Sequence, residues 1–169
     1  MVYPVGIQST RFEMVPKMTK TEMMPLRVLY ERDETAWLEA MSELAADGRY
    51  AEMDHSNLSE YLADMAKRDR REVSRRLVVQ LSHLLKWEHQ PDHRSGSWQS
   101  TILEQRRELR SLLDSGTLFN HAVSVLAESY ADARKQAAAE TTLPRGTFPT
   151  ECRWDLESLL VDEEEGTES

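Results

Sequence analysis

Between Leu81 and Ile102 the chain gathers three histidines, two tryptophans and several basic residues, its densest collection of side chains that can do chemistry. His83, His89 and His93, with Glu88 and Asp92 beside them, are residue types that bind a metal ion. His89 and His93 carry the four-residue spacing that sets two imidazoles on one face of a helix. Pro91 lies between them, and proline inside a helix removes a hydrogen bond and clashes with the preceding turn. The shared face is therefore expected to break there, and neither a metal nor another cofactor is expected. Arg76 and His83 are seven residues apart, so on a helix they stack on one side. Such a pair can neutralise a phosphate and move a proton. Trp87 and Trp98 supply indole faces over which Lys86 or Arg94 could lie.

Each of these groups also has a purely structural reading, and that reading is favoured. His83 can hydrogen-bond a buried carboxylate or carbonyl, and Arg76 can pair with an acidic helix. The tryptophans can fill the corner between two helices. Arg94 can bind the carbonyls left open where Pro91 ends a helix. Ser97, Trp98 and Thr101 read as capping and packing residues at the start of the next one. Elsewhere the sequence has no glycine-rich phosphate loop, no nucleophile elbow and no zincin motif.

Charge is segregated along the chain, which matters more than the net −9. Residues 30–66 hold ten acids against Arg32 and Arg49, while residues 67–112 hold eleven basic groups against six acids. Acidic and basic helices of this kind attract one another, within the fold or between copies. The sharper alternative is a basic face for a phosphate-bearing partner, formed by Lys67, Arg68, Arg70, Arg71, Arg75 and Arg76 together with Arg94, Arg106, Arg107 and Arg110. No apolar run is long enough to span a membrane, and Arg11, Glu13 and Lys17 interrupt any secretory leader. Cys152 is the only cysteine, so no disulfide framework exists and a reducing cytoplasm is the expected compartment.

The elements that must position these residues follow from periodicity. Residues 1–28, with Pro4, Pro16 and Pro25, read as an irregular arm, and Met18, Met23 or Met24 offer alternative starts. Trp37, Leu38, Met41, Leu44 and Ala45 make the stripe of a first helix, capped by Asp33 and ended at Gly48. A second opens at Asp54 or Asn57 and buries Leu58, Tyr61, Leu62 and Met65. The stripe lapses after Ala66 and resumes at Val73, Leu77, Leu81, Leu84 and Leu85, so a bend near residue 67 is expected. The next helix starts near Ser97 and carries Trp98, Ile102, Leu109, Leu112 and Leu113. One more, from Thr117, carries Phe119, Ala122, Val123, Leu126, Tyr130, Ala133 and Ala137, and Asp155 caps a short one at Leu156 to Leu160. Short connections between amphipathic helices imply antiparallel neighbours. The expected fold is a single all-α antiparallel bundle of about five helices over 29–161, with the arm at 1–28 and an acidic, disordered tail at 162–169.

From Leu29-Tyr30-Glu31-x-Asp33 onward the chain resembles the bacterial family named domain of unknown function 29. The resemblance rests on Trp37, Gly48-Arg49, Asn57-Leu58, His83-Leu-Leu-Lys-Trp87, Gln90-Pro91, Arg94, Ser97-Trp98, Thr101-Ile102 and Gln105-Arg106. It continues through Tyr130-x-x-Ala133-Arg134, Glu140-Thr141, Phe148-Pro149 and Glu151-Cys152. It implies an all-α cytoplasmic bacterial protein and no established activity. The residues and the resemblance together single out His83, Trp87, Arg94, Trp98, Arg76, Arg75, Gln105 and Arg106 as a surface or pocket, with no catalytic residue among them. The expected role is a protein-interaction or self-associating module, the partner being another protein or a second copy. The alternative is a nucleic-acid-binding or RNA-cleaving protein that uses the basic cluster 67–76 with His83. The spacing of Arg76 and His83 resembles the Arg-x(4–6)-His element of small helical toxin ribonucleases, although Leu77 stands where those enzymes favour a polar residue.

Overall fold

A computed structural model describes residues 24–161. The expected arm before residue 24, with the starts at Met18 and Met23, and the expected tail after Val161 lie outside the described residues. Among the described residues every regular element is helical: α1 (Leu26–Arg32), α2 (Glu34–Ala46), α3 (His55–His89), α4 (Gly96–Leu113), α5 (Gly116–Thr141) and α6 (Leu156–Leu160). No helix among them is long and apolar enough to cross a membrane. The chain divides after Glu60 into two compact units.

In the first unit, α1 begins directly after Pro25, so residues 26–28 are helical rather than part of an irregular arm. Proline fits there because the first helical N–H groups have no partner to lose. Asp33 separates α1 from α2 with a non-helical backbone, and its carboxylate accepts from the Ala36 N–H at 3.0 Å. Trp37, fully buried, meets the Tyr30 ring edge-on at 4.8 Å. Gly48 ends α2 with φ +70°, and the Arg49 N–H donates back to the Leu44 carbonyl, satisfying a helix-end acceptor.

Helix α3 starts at His55, where the Asp54 carboxylate accepts from the Asn57 backbone N–H at 3.3 Å and from its side-chain amide at 2.7 Å. Asp54 is therefore the cap and Asn57 its partner. The expected bend near residue 67 is absent as a break: α3 is one helix of 35 residues, about 52 Å long at 1.5 Å per residue. The apolar stripe lapses there because the segment is exposed, not because it leaves helical geometry. Leu62 is 57% exposed and Met65 41%, which corrects the expectation that both are buried.

In the second unit α3, α4 and α5 run up, down and up. Lys86 meets Trp98 and Arg76 meets Gln105, which makes α3 and α4 antiparallel. Ser74 meets His121 and Lys86 meets Glu140, which makes α3 and α5 parallel. The core is built from Val73, Leu77, Leu81 and Leu85 of α3, Ile102 and Leu109 of α4, and Ala122, Tyr130, Ala133 and Ala137 of α5. The buried alanines give α5 a low surface against which larger side chains pack. Residues 142–155 return along α5 and are pinned to it: the Tyr130 hydroxyl donates to the Pro149 carbonyl at 3.0 Å, and Arg134 donates to the Phe148 carbonyl at 2.9 Å. Leu156 and Leu159 of α6 close the core.

Candidate functional site

Helix α3 ends at His89, as Pro91 requires, and residues 91–93 form one 3-10 turn before α4. The cap of α4 is Ser95, two residues earlier than expected; its hydroxyl accepts from the Trp98 N–H at 3.4 Å. Ser97 lies inside the first turn, and its carbonyl accepts the Thr101 hydroxyl at 2.9 Å.

Lys86 and Arg94 each lie over an indole face. Arg94 lies over Trp87, 4.9 Å from the ring centroid, and its Nε donates to the Trp87 carbonyl at 2.8 Å. One side chain thus covers the last turn of α3 and binds one of its open acceptors. Lys86 lies over Trp98 at 5.0 Å and is only 4% exposed. Its ammonium pairs with Glu140 of α5, whose other oxygen accepts from Gln136 at 2.8 Å. Burial alone pushes the Glu140 carboxyl up, but the hydrogen bonds from Lys86 and Gln136 outweigh it and hold the group below its usual value.

His83 sits one turn before Lys86, half-buried, and its Nδ1 donates to the Val79 carbonyl at 2.9 Å, which fixes the tautomer of the neutral ring. Burial lowers its pKa, and the neighbouring Lys86 adds to that shift. The other two histidines do not join it. His89 packs edge-on against Phe148 at 5.3 Å, and His93 is exposed in the turn. Among the described residues no three His, Cys, Asp or Glu side chains gather as metal ligands would.

The remaining candidates fall into two further groups. Arg76 is 17% exposed at its side chain and bound on three sides: Glu72 at 2.7 Å, Gln105 at 3.2 Å and Glu108 at 3.6 Å. Arg75 is exposed and holds both oxygens of Glu72, which keeps that carboxyl below its ordinary range. Arg106 is 5% exposed and donates through Nε to the Leu159 carbonyl at 3.2 Å; Gln80 donates to the same carbonyl at 2.6 Å. Arg110 donates to the next carbonyl, Leu160. These groups bind the negative end of α6, where cationic donors are favoured.

The contacts of the eight residues thus fall into three groups. Sequence reasoning missed Glu140, Gln136 and Gln80. Glu140 stands in the resemblance through Glu140-Thr141, but nothing in its local pattern points to Lys86.

An all-α protein whose polar side chains lock helix ends and helix pairs is the class that this fold and corner define. The chain belongs to the family described as Domain of unknown function DUF29, whose model matches residues 29–164. Searches of curated proteins and of solved structures return no match.

Proposed function

We propose that the chain is a protein-interaction module that works without catalysis of its own. The observation that carries this reading is the engagement of the groups best suited to catalysis. Arg76 is held by Glu72, Gln105 and Glu108, so a phosphate would have to displace two carboxylates to reach it. His83 gives one nitrogen to the Val79 carbonyl, and Lys86 is closed in by Glu140 and Trp98. The apolar side chains left open include Leu62 and Met65 on α3 and Val123 on α5, at 57%, 41% and 54% exposure. Exposed apolar residues on well-formed helices suit a partner helix or a second copy.

The test is site-specific photo-crosslinking in the cells that make the protein, with the probe at Leu62 or Val123 and, as control, at Glu104. A discrete protein adduct or a dimer from either apolar position, and none from Glu104, is the expected result. Adducts that are equally diffuse from all three positions would overturn the reading.

A second reading is favoured by one observation: Arg68, Arg70 and Arg71 are exposed and stand in no ion pair among the described residues. Three open guanidinium groups on one helix could bind a nucleic-acid backbone. That reading expects retention on immobilised RNA that salt abolishes and that Arg70→Glu with Arg71→Glu removes. Passage through the matrix at low salt would eliminate it.

A further inference from the structure

Helices α3 and α5 run side by side, and midway along them they leave a cleft of about 210 Å³. Val78 and Val125 give it an apolar lining. Glu128 and Asp132, one turn apart on α5, line one wall. Ser129 lies between them in sequence and is 3% exposed, and its hydroxyl makes no hydrogen bond among the described residues. A hydroxyl on a nearly buried residue that has no protein partner and lines an open cleft is free to bond a ligand there.

We propose that this cleft takes a single basic side chain, that of an arginine presented by a partner protein. Its volume is below the range of about 300–1,000 Å³ usual for small-molecule sites, but suits one long side chain. The aliphatic stem would lie on Val78 and Val125, as the stems of long basic side chains do on apolar surface. The guanidinium would reach Glu128, which stands in no ion pair among the described residues, with the Ser129 hydroxyl as a further acceptor. Arg75 and Asp132, the other charged groups of the lining, are already engaged. Arg75 holds both oxygens of Glu72 at 2.8–2.9 Å, and Asp132 holds Lys135 at 2.7 Å. The Asp132 pair is a solvent-exposed one that an incoming guanidinium can displace at little cost. Of the charged groups that line the cleft, Glu128 is the one that stands in no ion pair among the described residues. An arginine in a pocket of this size is the kind of anchor that dominates protein interfaces.

The inference rests on the protein-interaction reading and names the chemistry of the partner. Its test is a titration of the full chain with acetyl-arginine-methylamide, followed by the methyl signals of Val78 and Val125 and the amide of Ser129. Acetyl-norleucine-methylamide supplies a stem without charge, and guanidinium chloride a charge without a stem. Saturable shifts with the arginine probe alone, weakened at least fivefold by Glu128→Gln with the spectrum otherwise unchanged, are the expected result. Shifts that norleucine or guanidinium reproduces, that map elsewhere, or that Glu128→Gln leaves intact would overturn the proposal. The two failures are distinguishable. Discrete crosslinks from Leu62 beside a silent cleft would sink only the arginine site, whereas arginine binding without any discrete crosslink would sink the interaction reading as argued from those apolar positions.

Discussion

Lys86 and Glu140, 54 positions apart, form an ion pair that joins α3 to α5, and its two halves differ sharply in exposure. The lysine side chain is 4% exposed and the glutamate 39%. Removing one partner therefore has a very different consequence from removing the other. Glu140→Ala strands a cation with only the Trp98 face beside it. Losing one partner of a fully buried pair costs about 3–5 kcal/mol, and the exposure of Glu140 reduces the expectation here to about 2 kcal/mol. Lys86→Met keeps the packing of the stem and leaves Glu140 to water, for about 1 kcal/mol or less. Thermal unfolding of the two variants should place Glu140→Ala below Lys86→Met by several degrees. The reverse order would mean that the lysine is less enclosed than its geometry implies.

The same pair gives an acid dependence. The Glu140 carboxyl is held below its ordinary 4.5 in the folded chain. A depressed folded value means that the unfolded chain binds the proton more readily. The stabilisation is thus fully present above pH 4.5 and is lost as pH falls through the folded value. A stability profile from pH 6 to pH 3 should fall less steeply in Glu140→Gln than in the parent protein.

His83 adds a separate slope at higher pH. Burial and Lys86 hold it below its ordinary 6.5, so the folded state favours the neutral ring. Its contribution is present above pH 6.5 and is lost as pH drops toward the folded value. His83→Gln can still donate to the Val79 carbonyl but cannot titrate. Denaturant midpoints measured at pH 7.5 and pH 5.5 should lie closer together in that variant, and an unchanged gap would assign the slope to another group.

How far the sequence could reveal this arrangement depends on the kind of signal. Asp33, Gly48, Pro91 and Asp155 act at the chain positions where they stand, so the ends of α2, α3 and α6 could be read directly. The stripe of α3 misled for a physical reason. Hydrophobic periodicity reports burial, and residues 62–71 are helical but exposed, so a lapse in the stripe imitated a bend. Helix α1 was hidden by the proline directly before it, although Pro25 stands where a helix accepts one. At the corner, the cation–indole contacts could be anticipated because Trp87 and Arg94 are neighbours along the chain. The bonds of Gln80 and Arg106 to the Leu159 carbonyl could not, since a backbone acceptor leaves no mark in the residue types.

Cys152 offers a chemical check on residues 142–155. Burial pushes its thiol above the ordinary range, although its bond to the Trp154 carbonyl opposes that shift. Because the thiolate is the reactive species, alkylation of the folded protein should be slower than that of a free cysteine at the same pH. The rate should rise when Arg134→Ala or Tyr130→Phe removes one of the bonds holding this segment to α5. Equal rates in parent and variants would show that those bonds do not keep the segment in place.

Thr142 ends α5 in the left-handed region, at φ 59° and ψ 10°, and is the only non-glycine residue with positive φ among the described residues. A β-branched side chain is poorly suited to that conformation, which costs an ordinary residue roughly 1–2 kcal/mol. The hydroxyl of Thr141 compensates in part, binding the Ala137 carbonyl at 2.6 Å and accepting the Leu143 N–H at 3.4 Å. Those bonds belong to Thr141 and survive a change at Thr142; the bond that goes is the one the Thr142 hydroxyl donates to the Thr141 carbonyl at 2.6 Å, and an asparagine amide keeps a donor there. Asparagine adopts the left-handed region far more readily and, unlike glycine, adds little freedom to the unfolded chain. Thr142→Asn should therefore stabilise the protein by about 0.5–1 kcal/mol, raising Tm by roughly 1–4 °C for a domain of this size. Thr142→Val keeps the β-branch and should show no such gain. If asparagine left Tm unchanged or lowered it, the left-handed turn would not be a source of strain in the folded chain.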